Sequence, residues 1–376
     1  MKLTCLQENL ARGLGIVGKA VSTRSTLPVL GNVLLATEES RLKLAATNLE
    51  LGITCWIGAH IEEEGAITVP ARTLIDMVNA FAADQVNMEL NLRTKTLRLT
   101  CGRSEANIKG IDAHEFPLIP QAEPDGIRIP PELMREMIGK TAFAAAADES
   151  RPILTGVHVA FGENRVTMAA ADGFRLSVSY VDLETTVEEP FSLIVPANSL
   201  KELSRISADQ EEAISLTLPS GRGQAIFHMS DIELVSQLID GTFPDYDQII
   251  PRSRATRTVV NTAEMRGACK AADIIAREAA HTTRLRVYPE DEVTPGHMVV
   301  AATSAETGDN ETEIDALVDG DPIEIAFNVK YLNDVLGVID TPQVALETTT
   351  ESSPGVIRPV GSDDFVHVIM PMQLGR

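Results

Sequence analysis

A strand-to-helix signature occurs three times in this chain at nearly even intervals, and no other feature limits the fold so much. VPARTLIDM (69–77), VPANSLKEL (195–203) and FNVKYLNDVL (327–336) each run through a Pro or Asn into an amphipathic helix. Leu74, Leu200 and Leu332 hold the same place in each, about 126 and about 132 residues apart. A second landmark agrees: the prolines of Phe116-Pro117, Phe243-Pro244 and Met370-Pro371 recur about every 127 residues. Helices around Leu10, Leu133 and Met265 open the copies at similar spacing. The chain therefore reads as three modules, residues 1–124, 125–252 and 253–376, with boundaries in the breaker-rich stretches QAEPDG and PRSRAT.

Helices are expected to start near residues 8, 71, 131, 198, 262 and 329, two per module. Between them, 97–111, 165–181 and 297–317 are strand-like and broken by Gly, Asp or Ser turns. Two helices packed on antiparallel sheets in each module make an α+β fold.

Charge then becomes informative through its placement. With 54 acidic and 32 basic residues the net charge is −22, which by itself argues against phosphate binding. The six helices, however, carry an excess of about three positive charges, leaving about −25 on the rest. The two ends differ as well. Arg93, Lys95, Arg98, Arg103 and Lys109 crowd one strand region of the first module, and acids from Glu306 to Asp321 crowd one of the third. Edges of opposite sign meeting head to tail between two chains would close a ring. No apolar run reaches the roughly 18 residues that span a bilayer, and MKLTCLQENLARGLG has polar residues where a secretory leader needs apolar ones, so a cytoplasmic location is expected. Cys5, Cys55, Cys101 and Cys269 are scattered and read as reduced packing residues.

The ordered set RSTLPVLGNVLL (24–35), TNLEL (47–51), TVPARTLIDM (68–77), AADGFRLSV (170–178), SQLIDGTFPDYDQIIP (236–251), FNVKYLNDVL (327–336) and VIMPMQL (368–374) resembles the bacterial DNA polymerase III beta subunit, the sliding-clamp family, over essentially the whole chain. The resemblance implies a non-catalytic, cofactor-free head-to-tail homodimer, a ring of six modules. Helices line the hole, and double-stranded DNA passes through it regardless of sequence. It implies a DNA contact at Arg24, and helix position adds Lys140, Lys201, Arg205, Arg266 and Lys270. It also implies capture of short peptides from the clamp loader, polymerases and repair proteins. The positions that match the family's groove are Leu154, Gly173, Phe174, Arg175, Leu176, Pro244, Ile249, Asn328, Tyr331, Ile369, Met370, Pro371, Met372 and Leu374. Leu176, Ile369 and Met370 would serve equally as strand core. At the ring interface Arg103 and Ile108 match one edge, with Ile274, Ile275 and Glu306 expected on the other. The chain departs from the pattern at Phe174, where His is frequent, at Gln248 and Gln373, where Arg is frequent, at residues 279–283, where an aromatic is absent, and at Ala106, where a large apolar residue is usual.

Two other readings compete. A duplicated clamp with altered clients would show the same motifs. Separately, GLGIVGKA (13–20) contains G-x-G-x-x-G and most of a phosphate loop, which would suit a nucleotide-binding enzyme. Six residues separate the expected strand KLTCL from Gly13, and Ala20 replaces the Ser or Thr that would hold magnesium. Gly13, Gly15 and Gly18 then fall inside a helix, where each costs roughly 1 kcal/mol relative to Ala, and the sequence gives no reason for them. The seven histidines show no metal-ligand spacing, and no metal is expected.

Overall fold

A computed structural model of the chain describes residues 1–22, 25–123, 126–183, 187, 189–219, 221 and 223–373. Six α-helices are present among them: α1 (Gln7–Val17), α2 (Ala71–Ala80), α3 (Pro131–Thr141), α4 (Ala197–Ile206), α5 (Thr262–Ala276) and α6 (Val329–Gly337). The repeated signature is a strand passing straight into a helix. Ala66–Pro70 enters α2, Phe191–Pro196 enters α4 and Ile323–Asn328 enters α6, so the Pro or Asn stands at the junction. Asn328 caps α6 by accepting a hydrogen bond from Lys330 N (3.0 Å), and Asn261 caps α5 through Ala263 N and Glu264 N. Leu74, Leu200 and Leu332 are all buried, which is what their shared place in the repeat predicts.

Among the described residues the strands form three sheets whose pairings are antiparallel. The chain divides into two compact units, Met1–Met134 with Asn198–Leu238 and Arg135–Ala197 with Ile239–Arg376. This division follows shared sheets rather than the repeat. In the first unit, Leu51–Gly58 pairs with Ile232–Gln237, joining a first-copy strand to a second-copy strand in an eight-stranded sheet. In the second, Arg175–Asp182 pairs with Phe365–Ile369 inside a twelve-stranded sheet. The five-stranded sheet of the first unit ends at Ser104–Lys109. No helix among the described residues is long and apolar enough to cross a membrane.

The glycines of the GLGIVGKA stretch have a packing role. α1 begins directly after the strand Lys2–Leu6, so Gly13 and Gly15 lie within the helix and Gly18 closes it; none sits in a loop that could cradle a phosphate. A Cβ on Gly13 would stand 2.7 Å from Leu44 Cδ1 and 3.2 Å from Ile57 Cγ2, so its absence lets α1 press onto the sheet. At Gly18 a Cβ would meet Ile75 Cδ1 of α2 at 3.0 Å, whereas at Gly15 it would meet nothing within 4 Å. All four cysteines are free and buried, and burial pushes the thiols of Cys5, Cys55 and Cys269 up to about 12.

His367 lies fully buried on the strand that joins the two copies in the second unit. Its Nδ1 is 2.6 Å from Ser177 Oγ and its ring stacks on Phe143 at 5.6 Å. Burial, with the charge of Arg175 second, pushes its pKa down to about 3.

Two stability predictions follow from this packing. Gly13→Val is expected to cost about 1–3 kcal/mol by overpacking, while Gly15→Ala gains up to about 1 kcal/mol. Calorimetry reads both, and the opposite order would sink the close-approach account. For His367 the folded pKa lies below the unfolded value near 6.5, so the unfolded chain takes up the proton first. Its contribution is complete above pH 6.5 and is lost as pH falls toward 3, at up to about 1.4 kcal/mol per pH unit. His367→Leu should flatten that slope in urea titrations between pH 4 and 7, and an unchanged slope would contradict the buried neutral ring.

Candidate functional site: an apolar groove and the cationic helix faces

The D-G-F-R segment explains itself atom by atom. Asp172 Oδ1 accepts from Phe174 N (2.9 Å) and Arg175 N (3.0 Å), closing a turn in which Gly173 adopts φ +92°. A Cβ at Gly173 would also stand 2.6 Å from Arg151 Nη1, the movable end of a long side chain, so it is the backbone conformation that requires glycine. The turn pushes Phe174 out, 57% exposed, and starts the strand Arg175–Asp182.

Arg175 is held on every side. Its Nε meets Asp172 Oδ2 at 3.0 Å, Nη1 meets Asp334 Oδ2 of α6 at 2.6 Å, and Nη2 donates to Phe143 O at 2.9 Å. The guanidinium lies 4.3 Å from the Tyr331 ring centroid. With its side chain only 10% exposed, Arg175 acts as a pin between the D-G-F-R turn and α6 rather than as a cation reaching for a ligand. Burial pushes the Tyr331 phenol up, aided by the nearby Asp172 carboxylate. Asp172, Phe143 and Asp334 were missed by sequence reasoning; the D-G-x-R spacing carried a signal for Asp172 alone.

Strand alternation sorts the remaining groove residues. Leu176 pairs with Val368, and with Val178, Val366, Ile194 and Phe243 they form an apolar cluster against which Leu154, Ile153 and Ile250 pack. Ile369 points the other way, into the core beneath α5 and α6, so the structure places it as strand core and not as groove lining. Met370 N donates to Phe174 O (2.8 Å) and Met372 N to Ala326 O (2.8 Å), which extends the terminal segment past its strand. Met370, 41% exposed, Ile249 and Phe174 are the exposed apolar side chains here, Pro244 is exposed, and Pro371 and Met372 are half-buried. Asn328 is spent as the cap of α6. Leu374 lies outside the described residues. Phe243 stays buried, stacked on His158 at 5.3 Å. The equivalent Met370 is exposed, so the third copy of the repeat turns a packing position outward.

The expected helix cations divide into two groups. Lys201 and Arg205 are exposed one turn apart on α4, and Lys270 is exposed on α5. Arg205 pairs with Glu202 at 2.5 Å. Arg266, one turn from Lys270, instead donates through Nε to Leu336 O (2.9 Å), satisfying a carbonyl at the end of α6. Lys140 is held by Glu136 (2.6 Å) and Asp364 (2.9 Å) with its side chain 15% exposed. Burial lowers its pKa, but the two carboxylates outweigh that and hold it above the ordinary value. Both Lys140 and Arg266 are thus committed to the chain's own packing, a use their helix positions did not disclose. Arg24 lies outside the described residues.

At the two charged edges, Arg103 and Lys109 are exposed at the open edge Ser104–Lys109, whereas Arg98 pairs with Glu105 and Lys95 with Asp112. Ala106 and Ile108 face inward on that strand, so Ile108 offers a partner the open backbone edge rather than its side chain. The strand Gly308–Asp319 exposes Glu311, Glu313 and Asp315, of which Glu311 pairs with Arg286, and Glu306 is exposed in the preceding turn. On α5, Ile274 is 64% exposed while Ile275 packs against the core. No group of three or more potential metal-ligating side chains occurs among the described residues.

Family models of the DNA polymerase III beta subunit match the chain in order: the N-terminal domain at residues 1–120, the central domain at 128–245 and the C-terminal domain at 247–373. A beta sliding clamp of Synechococcus elongatus is 33% identical over 381 residues, covering all of both chains, and one of Staphylococcus aureus is 30% identical with 99% of each covered. Among solved structures, the DNA polymerase sliding clamp of Bacillus subtilis superposes with a TM-score of 0.94 at 28% identity, and that of Pseudomonas aeruginosa with 0.90 at 30%, each covering both chains completely. Matches of this extent, in this order and on this fold establish that the chain belongs to the DNA polymerase III beta subunit family.

Proposed function

We propose that the chain works as a sliding clamp, a non-catalytic processivity factor that encircles duplex DNA and tethers the replicative polymerase and other clamp-binding proteins. The observation that carries this is the in-order match of all three family domains across the chain, with a relative named as a beta sliding clamp at 33% identity over all of both chains. Three modules, near 1–124, 125–252 and 253–376, in each of two head-to-tail chains give six around the DNA. The open edge carrying Arg103 and Lys109 is suited to meet the acidic strand and turn of a second copy, with Ile274 adding apolar contact. Such work places it in the cytoplasm.

Lys201, Arg205 and Lys270 are the exposed helix cations that would attract phosphates, and the family resemblance adds Arg24. Lys140 and Arg266 support helices instead. A ring held by topology needs only modest attraction, because tight phosphate contacts would stall movement along the duplex. The groove around Leu154, Leu176, Pro244, Ile249 and Met370 suits an apolar peptide anchor, with Phe174 and the flexible Met370 and Met372 shaping its mouth. Gly173 and Arg175 hold that mouth in place through the turn and the pin.

Loaded onto nicked circular DNA, the protein should be retained through gel filtration and lost once the circle is linearised; equal retention on linear DNA contradicts encirclement. Lys201→Ala with Arg205→Ala and Lys270→Ala should shorten that retention at low salt and converge with the parent at high salt. Phe174→Ala with Met370→Ala should weaken capture of a Leu-Phe-anchored peptide about tenfold or more, with the dimer mass by light scattering unchanged. Unaltered peptide affinity would remove the groove assignment.

A further inference from the structure

A cavity of about 1070 Å³ opens on the twelve-stranded sheet, on the face opposite α5 and α6. The face follows from alternation. Val260, Leu346 and Ile357 lie in the core under those helices, so Arg257, Glu347 and Arg358, at odd steps from them, point the other way. Glu347, 14% exposed, stands among three guanidiniums: Arg254 Nη1 at 2.5 Å, Arg358 Nε at 3.5 Å and Arg257 Nε at 3.8 Å. Arg252 also lines the cavity, as do Asp247 and Asp363.

One carboxylate cannot use what these arginines offer. Three guanidiniums carry about fifteen N–H donors, against about four lone-pair sites on Glu347. In a chain whose acids outnumber its bases by 54 to 32, this cavity has more arginines than carboxylates. Guanidinium forks of this kind match carboxylates in a bidentate geometry.

The cavity borders the apolar cluster that underlies the groove. Val366 lines it and belongs to the apolar cluster that contains Leu176 and Phe243, while Tyr180 and Ile250 line it and pack against that cluster. Leu176 and Tyr180 lie on one strand face, about 13 Å apart at the rise of an extended chain. An extended peptide anchored at Leu176 covers that distance in about four residues.

We propose that this arginine-rich cavity receives Asp or Glu side chains of the protein partners whose apolar anchor sits in the groove, so that the recognised segment has two parts: an apolar anchor and acidic residues about four to six positions away. The proposal rests on the peptide-groove reading. It assigns the cavity to acidic protein segments because its surface adjoins the apolar cluster and lies away from α5, which carries Lys270.

Fluorescence anisotropy on the full-length chain tests it with labelled peptides: a Leu-Phe anchor flanked by Gly and Ser, and two versions with Glu residues four to six positions before or after the anchor. One acidic version should bind about three- to tenfold tighter than the neutral one, the worth of a few exposed ion pairs, and the gain should shrink as salt rises. Arg254→Gln with Arg358→Gln should abolish the gain and leave neutral-peptide binding unchanged. Glu347→Gln removes the competing carboxylate and should enlarge the gain, which keeps the test decisive should the double arginine variant fail to fold. A neutral peptide that binds while neither acidic version binds tighter overturns the cavity assignment and leaves the groove standing. If the neutral peptide does not bind, the groove reading fails, and hexaglutamate then decides the cavity alone: arginine-dependent binding keeps it and no binding removes it. A gain that survives loss of both arginines overturns the proposal, as does arginine-dependent binding of oligothymidylate that displaces the acidic peptide.

Discussion

Antiparallel pairing between strands nearly two hundred residues apart is the constraint on which the rest of this structure depends. Arg175–Ser179 lies against Phe365–Ile369, and Leu51–Cys55 against Ile232–Ser236. Each pairing ties two copies of the repeat into one sheet, and each compact unit is built on one of them. A repeat copy therefore does not bury its strands by itself. The D-G-F-R turn exists at the end of one of these pairings, and the groove exists because the joined strands present Leu176 and Val368 on one face and His367 and Ile369 on the other.

Arg175 shows how charge is used to hold such a junction. A buried guanidinium is costly unless its donors are met, and here two carboxylates, a carbonyl and an aromatic face meet them. Asp172 serves twice, once to the turn and once to the arginine. Removing that one carboxylate would loosen the turn and leave Arg175 half-met, so the motif works as a unit.

What the sequence disclosed and what it hid divide along a physical line. Local signals were legible: the strand-into-helix junctions at Pro70, Pro196 and Asn328, and all six helices, because periodicity and capping act within a few residues. Long-range partners were not. Nothing adjacent to Gly13 announces Leu44 and Ile57, nothing near Lys140 announces Asp364, and nothing near Arg266 announces the Leu336 carbonyl. The groove was legible only through its ordered motifs, and the sequence left Ile369 open between groove and strand core, a choice that its packing in the folded sheet resolves toward core.

The same long-range pairing changes the meaning of the charge pattern. Counted along the sequence, the helices carry a positive excess that suggests a phosphate-attracting surface. In the folded chain Lys140 and Arg266 are consumed by carboxylate and carbonyl partners, and Arg205 shares its charge with Glu202, so the attraction left to the helix faces is weaker than the count implied. Weak attraction is what a ring that moves along DNA requires, since its hold comes from closure and each tight phosphate contact would add friction. Cation placement in this chain thus follows two separate demands. Lys140, Arg175 and Arg266 are committed to partners within the fold, where they fix helices and a turn, and the arginines near Glu347 are left with donors to spare, in a chain whose net negative charge otherwise repels acidic partners.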